Sequence, residues 1–208
     1  MIRVHHLNNS RSQRVLWLLE EIGAPYGVIR YQRKPNMLAP SELKRVHPLG
    51  KSPVIEDPGK TFAETGLIVE YLVESYGPDL APPPQSDLYW RYKYWLHYAE
   101  GSLMPPLLLK LVIGRLGLLG LPARKFVDAQ LKLHLDFLES ELGASPWFLG
   151  DRFSAADIIM SFPLEAANAR AGLGETRPKL FDFLQRIHAR PAYQRALEKG
   201  GPYRYAKS

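Results

Sequence analysis

The chain contains no cysteine among its 208 residues. This absence excludes disulfide bonds, thiolate metal sites and any protein thiol acting as a nucleophile or redox group. Because disulfides belong to oxidising compartments, it also favours a cytoplasmic location. The remaining composition, 46% hydrophobic and 23% charged residues, is typical of a globular protein with one or two domains.

Long apolar runs are also scarce. The most apolar tract, PLLLKLVIGRLGLLGLP at 106–122, is interrupted by Lys110, Arg115 and glycines, so it does not predict a membrane span. The first residues, MIRVHHL, lack the apolar core and the small-residue cleavage site of a secretory signal. We therefore expect no membrane partner.

A strong charge of one sign is missing as well. The net charge is +6; residues 1–80 hold ten Lys and Arg against nine Asp and Glu, and residues 81–208 hold seventeen against twelve. This excess is mild, and it forms neither a basic run nor an alternation of basic and aromatic residues. The sequence therefore predicts no nucleic-acid partner.

The chain divides at a proline-rich segment, YGPDLAPPPQSD at 76–87, which has the composition of a linker. Before it, strand and helix patterns alternate, whereas after it every pattern is helical. We predict a first domain of α/β type at 1–78, a linker at 79–87 and an all-α domain at 88–208.

Within the first domain, the patterns follow the order strand, helix, strand, then strand, strand, helix. Ile2–Leu7 and Tyr26–Tyr31 are typical of strands, and the apolar positions between Val15 and Ile22 have helical spacing. Short strands on either side of DPGK predict a hairpin, and a second helix follows it.

Four motifs occur along the chain. They are SRSQRVLWLLEE at 10–21, HPLGKSPVIE at 47–56, AETGLIVEYL at 63–72 and FSAADI at 153–158. Because the four motifs occur in this order and at this spacing, the chain resembles a cytosolic glutathione transferase of the serine type over nearly its whole length. The first two motifs, together with EGSLMPPL at 100–107, are most similar to the fungal and bacterial branch related to the yeast enzymes.

The resemblance implies a thioredoxin-like first domain followed by a helical bundle. It implies that glutathione (γ-Glu-Cys-Gly) is the co-substrate, without a metal, and that its thiolate is added to small-molecule electrophiles in detoxification. It also implies a homodimer that pairs the first domain of one subunit with the second domain of the other. The aromatic run in residues 89–95 favours such a dimer, because it occupies more of its helix than one core requires.

Pro53 stands at the head of a short buried strand, where it cannot donate to a ladder. From the residues alone, a tight turn that leads into the strand is the favoured interpretation. The resemblance implies that the Ser52–Pro53 bond is cis and that the backbone of Ser52 pairs with the cysteine of glutathione, as an added strand would. Lys51 is the implied partner of the glycine carboxylate; the alternative is an ordinary solvated lysine.

Glu64 and Thr65 stand where the second helix of the first domain begins. We predict Thr65 as its N-cap, and the helix dipole and the first N–H groups then favour an anion. The resemblance implies that the γ-glutamyl carboxylate binds there, with the Thr65 hydroxyl and the Glu64 side chain holding the amino-acid end. Capping without a ligand is the alternative.

Ser10 is the implied catalytic residue, because it stands four residues before Arg14, where serine-type members carry their hydroxyl. A hydrogen bond from Ser10, aided by the end of the helix, would favour the thiolate of bound glutathione. The rival interpretation is a capping box of Ser10 with Gln13. Further candidates for the catalytic role are the neighbouring polar residues Asn8, Asn9 and Ser12.

The resemblance places the electrophile pocket beside one face of the second domain. Tyr98, Met104 and Leu108 fall on that face, although core packing accounts for them equally well. Arg11 is a candidate for steering an anionic substrate, and Glu100 for reaching the glutathione amine across a dimer.

Two other functions compete with transfer of glutathione to an electrophile. One is a glutathione-dependent peroxidase or disulfide reductase, in which glutathione itself supplies the thiol. The other is a non-catalytic ligand carrier or stress-regulatory member of the fold. The presence of Ser10, Ser52, Pro53, Glu64 and Thr65 argues against the carrier, since a scaffold does not need a complete peptide-binding cleft.

Overall fold

The structure is a computed structural model that describes residues 1–206. The chain forms two compact units. Among the described residues, the first consists of Met1–Ala81 together with residues 188–206, and the second is Pro82–Ile187.

Four strands and eight α-helices are present in the described residues. The strands are β1 (Ile2–Leu7), β2 (Tyr26–Tyr31), β3 (Val54–Asp57) and β4 (Lys60–Ala63). The helices are α1 (Ser12–Ile22), α2 (Thr65–Tyr76), α3 (Leu88–Tyr98), α4 (Met104–Arg115), α5 (Leu121–Leu142), α6 (Ala155–Ala171), α7 (Pro178–His188) and α8 (Pro191–Gly200). A π-helical stretch, Ala99–Leu103, joins α3 to α4.

The sheet of the first unit has the strand order β2-β1-β3-β4. β1 is parallel to β2, so the chain needs a crossover between them, and α1 provides it. β3 is antiparallel to β1 and to β4. This mixed sheet with its helices is the predicted thioredoxin-like arrangement, and the fold class expected for the first domain is confirmed.

Helix α1 is buried along most of its length. Its apolar residues Val15, Leu16, Leu18 and Leu19 have no exposed surface, and burying each one contributes about 1.5–3 kcal/mol to the unit's stability. Gly23 ends the helix at φ +75°, a conformation that glycine adopts without a steric penalty. The burial of these apolar residues holds the start of α1 against the sheet.

Helix α8 packs against α1, and ion pairs hold the two together. The carboxylate of Glu20 accepts hydrogen bonds from Arg195 Nε at 2.8 Å and from Lys199 Nζ at 2.5 Å. The Arg190 guanidinium forms a bidentate ion pair with the Glu21 carboxylate, with N···O distances of 2.6 and 2.9 Å. The sequence-based division placed all of 88–208 in the second domain, whereas residues 188–206 pack with the first unit.

The second unit is a helical bundle, as predicted. Leu131, Leu135 and Leu138 of α5 are buried at helical spacing. Helix α6 begins with a capping box. The Ser154 hydroxyl accepts the N–H of Ala156, and the Asp157 carboxylate accepts the N–H of Ser154. No helix in the described part of the chain is long and apolar enough to cross a membrane.

Candidate functional site

Three segments of the first unit meet at one edge of its sheet. The register pairs His5 with Val54 and Val54 with Ala63. The residues that follow β1, precede β3 and follow β4 therefore leave the sheet on the same side. We call this region, residues 8–12, 51–53 and 64–65, the site edge.

The Ser52–Pro53 peptide bond is cis, as the resemblance implied. The side chain of Ser52 completes the end of β1: its hydroxyl donates to the His5 carbonyl at 2.8 Å and accepts from the Leu7 N–H at 3.3 Å. The regular ladder of β3 begins only at Val54. Within residues 1–206, the backbone N–H and C=O of Ser52 make no hydrogen bond, so both are available to a ligand.

Helix α2 begins at Thr65, and its N-cap is Glu64. The prediction that Thr65 is the N-cap is therefore wrong by one residue: the chain turns out of β4 at Glu64, which adopts φ +72° and ψ 123°. A non-glycine residue with this backbone is strained by roughly 1–3 kcal/mol, and such strain concentrates at functional sites.

The start of α2 is open to an anion. Neither a side-chain cap nor an acidic residue is present in its first turn. The Thr65 hydroxyl makes no hydrogen bond with any described residue, although the residue is only 4% exposed. Unpaired N–H groups at the positive end of a helix are a ready anion-binding site. At the other side of the site edge, Lys51 is exposed and forms no ion pair among the described residues.

Ser10 lies in the turn between β1 and α1 and is 2% exposed. Its hydroxyl accepts the Ser12 N–H at 3.2 Å and lies 2.8 Å from the Ser12 hydroxyl. The N-cap of α1 is Arg11, with no side-chain cap bond, and Gln13 donates its N–H to the Ser10 carbonyl instead. The capping box proposed for Ser10 and Gln13 is therefore not formed.

The hydroxyl of Ser12 is the centre of a buried hydrogen-bond network. It lies 2.9 Å from His6 Nδ1 and accepts the Leu7 N–H at 3.1 Å. Burial, and next the positive charge of Arg30, lower the pKa of His6 to about 4, so its ring is neutral near pH 7. Sequence reasoning did not identify His6 as part of this network, because nothing in the sequence indicates that it contacts Ser12.

Asn8 and Asn9 hold neighbouring segments in place. Asn8 Oδ1 accepts the Arg33 N–H at 2.7 Å, and Asn9 Oδ1 accepts the Arg204 N–H at 2.8 Å. Asn9 itself has a positive φ of 49°, which asparagine tolerates better than most residues. The side-chain oxygens of both asparagines thus hold neighbouring segments, and Ser10 and Ser12 carry the two hydroxyls of this turn.

The residues assigned to an electrophile pocket differ in their exposure. In the second unit, Tyr98 and Met104 are buried, and the Tyr98 hydroxyl lies 2.6 Å from His134 Nδ1. Leu108, by contrast, is 52% exposed. In the first unit, Arg11 is half-buried at the start of α1. Their role at an electrophile pocket stays a prediction.

Among the described residues, no three His, Asp or Glu side chains are grouped so that they could hold a metal ion. His5, for example, lies between the Tyr31 hydroxyl at 2.9 Å and the Glu56 carboxylate at 3.1 Å. Its contacts hold the strands of the sheet together.

Two protein-family models match the chain. The model described as glutathione S-transferase, N-terminal domain, matches residues 1–74, and that described as glutathione S-transferase, C-terminal domain, matches residues 122–199. The second range includes α8, which packs with the first unit, so domain limits by sequence and by packing differ there.

Individual relatives agree with the family models. Glutathione S-transferase 1 of Saccharomyces cerevisiae is 34% identical, over 96% of this chain and 95% of its own. A crystal structure of a glutathione S-transferase from Actinobacillus pleuropneumoniae superposes with a TM-score of 0.90 at 32% identity, covering 100% of this chain and 97% of the other.

A third relative was solved with ligand. It is a glutathione transferase family member from Pseudomonas fluorescens Pf-5 with two glutathione molecules bound, and it has a TM-score of 0.82 at 26% identity. The alignment covers 95% of this chain and 92% of that one. The resemblance identified from the four sequence motifs is confirmed.

Proposed function

Because the chain belongs to the glutathione S-transferase family and is a glutathione transferase, we propose that its site edge binds glutathione and activates the thiol. One observation carries this proposal: the unpaired backbone of Ser52 and the uncapped start of α2 lie at the same edge of one sheet. Together they offer a peptide-pairing group and an anion site, which are what a γ-glutamyl tripeptide requires.

The tripeptide is held at three points. The N–H and C=O of Ser52 pair with the cysteine backbone in the manner of an added strand. The γ-glutamyl carboxylate lies at the start of α2, where it accepts hydrogen bonds from the first N–H groups and from the Thr65 hydroxyl. The exposed carboxylate of Glu64 receives the ammonium group, and Lys51 pairs with the glycine carboxylate.

The cysteine sulfur then lies next to the turn that carries Ser10. When the Ser10 hydroxyl donates a hydrogen bond to the thiolate, the Ser10 oxygen accepts hydrogen bonds from neighbouring groups. The Ser12 N–H is one such donor, and the Ser12 hydroxyl is the second. The Ser12 oxygen in turn accepts from the Leu7 N–H and, with the imidazole proton on Nδ1, from His6. In this arrangement the Ser12 hydroxyl directs its proton to the Ser10 oxygen at 2.8 Å and not to the Leu7 carbonyl, which lies 3.3 Å away. Each hydroxyl then accepts two hydrogen bonds and donates one, and the chain of donors runs from His6 through Ser12 and Ser10 to the sulfur.

This chain makes Ser10 a hydrogen-bond donor and not a base. The thiol proton is released to solvent, Ser10 keeps its own proton, and the thiolate attacks a carbon of the electrophile to form a carbon–sulfur bond. With an aryl halide the carbon–halogen bond breaks and halide leaves; with an epoxide a ring carbon–oxygen bond breaks and the alkoxide takes a proton from solvent. Donors aligned in one direction polarise each other, so the bond to the sulfur is strengthened. His6 and Ser12 act as positioning residues, and Ser10 is the catalytic residue.

Assembly and location are part of the same proposal. We infer a homodimer, supported by the aromatic run of α3: Tyr92 and Trp95 are buried, whereas Trp90 is 75% exposed and Tyr94 also faces outward. An exposed aromatic surface of this kind is typical of an interface. The absence of cysteine supports a cytoplasmic enzyme.

The proposal is tested by titrating the protein with glutathione in a calorimeter and by measuring turnover with a panel of aryl halides, epoxides and organic peroxides. We expect glutathione to bind and at least one aryl halide or epoxide to be conjugated. Turnover of peroxides alone would instead identify a glutathione-dependent peroxidase. Absence of glutathione binding would refute the assignment of the site edge.

A further inference from the structure

A segment late in the chain returns to the turn between β1 and α1. This segment, residues 199–206, contains the end of α8 and a short helical turn at Arg204–Ala206, and we call it the return segment. It belongs to the same compact unit as residues 8–11, which we call the Ser10 turn. The Arg204 N–H donates to the Asn9 side-chain oxygen at 2.8 Å, across 195 positions of the chain. The return segment thus contacts the residue next to Ser10.

The return segment is fixed on both sides of this contact. At its beginning, the Arg30 guanidinium donates to the Lys199 carbonyl, from Nε at 3.0 Å and from Nη2 at 2.6 Å. Near its end, the rings of Tyr203 and Tyr205 are buried, and their centres lie 5.5 Å apart. Buried contacts of this kind oppose local opening of the chain. The N–H of the intervening Arg204 is therefore held in one position.

Gly200 brings the return segment against the residues that support the Ser10 turn. A β-carbon at this position would lie 2.6 Å from Gln13 Oε1 and 3.4 Å from His6 Nε2, so the backbone approaches both side chains closely. Glycine allows this approach because it has no side chain. The return segment therefore lies beside His6 and the first turn of α1 as well as against Asn9.

Asn9 has a backbone conformation that depends on support. Its φ of +49° lies in the left-handed region, where every residue with a side chain has a steric penalty. Among the described residues, the Asn9 side chain makes one hydrogen bond, with the Arg204 N–H. A change of φ would move the side chain away from this donor, so the bond favours the observed conformation. Arg33 holds the turn from another side, because its Nε donates to the Asn8 carbonyl at 3.1 Å.

We propose that the return segment is a positioning element of the reaction: the Arg204 N–H holds Asn9, and Asn9 fixes the place of the Ser10 hydroxyl. The segment acts only through the turn and is not itself catalytic. Its effect on turnover rests on the role proposed for Ser10, but the position of the hydroxyl can be measured without ligand. Ser10 Oγ accepts the N–H of the buried Ser12 at 3.2 Å, so protection of this N–H reports whether the hydroxyl is in place.

The first test removes the donor. Arg204 is the first residue of its helical turn, where proline is accepted, so Arg204→Pro deletes the N–H and keeps the path of the chain. Hydrogen exchange of the Ser12 N–H, measured without glutathione, should become about two- to tenfold faster. Arg204→Ala loses the same side chain but keeps the N–H, and its exchange should change by less than about twofold. Unaltered exchange in Arg204→Pro, or an equal increase in both variants, would overturn the proposal.

The second test removes the acceptor and does not need a proline. Asn9→Gly deletes the side-chain oxygen and keeps the left-handed conformation accessible. It should speed exchange of the Ser12 N–H to a similar extent, whereas Asn9→Asp, which keeps a side-chain oxygen, should retain most of the protection. Arg204→Pro combined with Asn9→Gly should add little to either change alone. Additive effects of the two substitutions would show that they do not act through one hydrogen bond, and would refute the proposal.

The consequence for the reaction is measured in the pH profile of turnover. Arg204→Pro should move the acid limb to higher pH by about 0.3–1 unit, with glutathione affinity unchanged, because the Ser10 hydroxyl is in place for a smaller fraction of the time. Ser10→Ala separates the two proposals. A profile that moves in Ser10→Ala but not in Arg204→Pro would refute the role of the return segment. A profile that is unmoved in Ser10→Ala would instead refute the role of Ser10, and the exchange rates would still decide whether Arg204 positions the turn.

Discussion

The hydroxyl of Ser12 lies 2.9 Å from His6 Nδ1 and so connects a buried neutral imidazole to the turn that carries Ser10. Ser12 Oγ also lies 2.8 Å from Ser10 Oγ, so the two hydroxyls of that turn are linked to the ring. In the proposed mechanism Ser10 donates to the ligand, and Ser12 transmits the orientation set by the ring. The first two predictions test this division of roles.

Replacing Ser10 with alanine should raise the pKa of the bound glutathione thiol. Loss of one hydrogen bond to an anion removes about 1.5–3 kcal/mol, or roughly one to two pKa units, so the acid limb of the rate profile moves to higher pH. Glutathione affinity should change little, since the ends of the tripeptide are held elsewhere. Ser41→Ala, on an exposed serine of the same unit, is the control. An unmoved profile would transfer the catalytic role to Ser12.

Replacing His6 with leucine should also move the acid limb of the rate profile to higher pH, but by less than Ser10→Ala does. We expect a shift of about a few tenths of a pH unit to one unit, because His6 acts only through Ser12. His6→Asn should restore part of the effect, since its amide can donate toward the Ser12 oxygen. The pH profile is measured alongside the melting temperature. If His6→Leu lowers stability and leaves the profile in place, the ring is structural and the donor chain is incorrect.

Replacing Thr65 with alanine should weaken glutathione binding. The hydroxyl makes no hydrogen bond among the described residues, and a bond to the γ-glutamyl carboxylate is worth about 1.5–3 kcal/mol. Calorimetric affinities of Thr65→Ala and of Thr61→Ala, an exposed threonine on β4, provide the comparison. Equal affinities in the two variants would count against an anion site at the start of α2.

Replacing Glu20 with glutamine should destabilise the first unit by about 1–3 kcal/mol near pH 7, because Arg195 and Lys199 lose their charged acceptor. Burial raises the pKa of Glu20, but hydrogen bonds from Lys199, Arg195 and Tyr26 outweigh it, and the net pKa lies below the ordinary value of 4.5. The stabilisation is therefore complete above pH 4.5 and is lost as the pH falls through the lower folded-state pKa.

The measurement for Glu20 is urea unfolding of both proteins from neutral to acidic pH. The difference between wild type and Glu20→Gln should narrow as the solution becomes more acidic than pH 4.5. A difference that stays constant over this range would show that the ion pairs with α8 do not stabilise the fold.

Replacing Trp90 with glutamate should dissociate the proposed homodimer, because a charge would replace an exposed indole at the interface. Sedimentation at micromolar concentration should show a dimer for the wild type and a monomer for the variant. The control is Phe126→Glu, on an exposed aromatic residue of α5. A monomeric wild-type protein would refute the dimer itself.

The sequence by itself determined the class of fold and the segments that carry the site. Alternating and helical periodicities separate the α/β part from the helical part, since each pattern reflects which face of an element is buried. Gly and Pro at turns mark the ends of those elements, and the positions of Pro53 and Ser10 within four ordered motifs identified the family. All of these signals are local. They can be recognised in the sequence because periodicity and turn chemistry act over a few residues.

Only the tertiary structure decided which distant groups meet. The contact of His6 with Ser12 depends on how α1 leaves the sheet, and the N-cap of α2 moved to Glu64 because of the turn out of β4. Helix α8 lies with the first unit because it packs against α1: Trp17 contacts the Tyr193 ring, and Glu20 pairs with Arg195, 175 residues away in the chain. Such contacts carry no sequence signature, since a hydrogen bond or an ion pair depends on distance in space, and distance along the chain does not fix it.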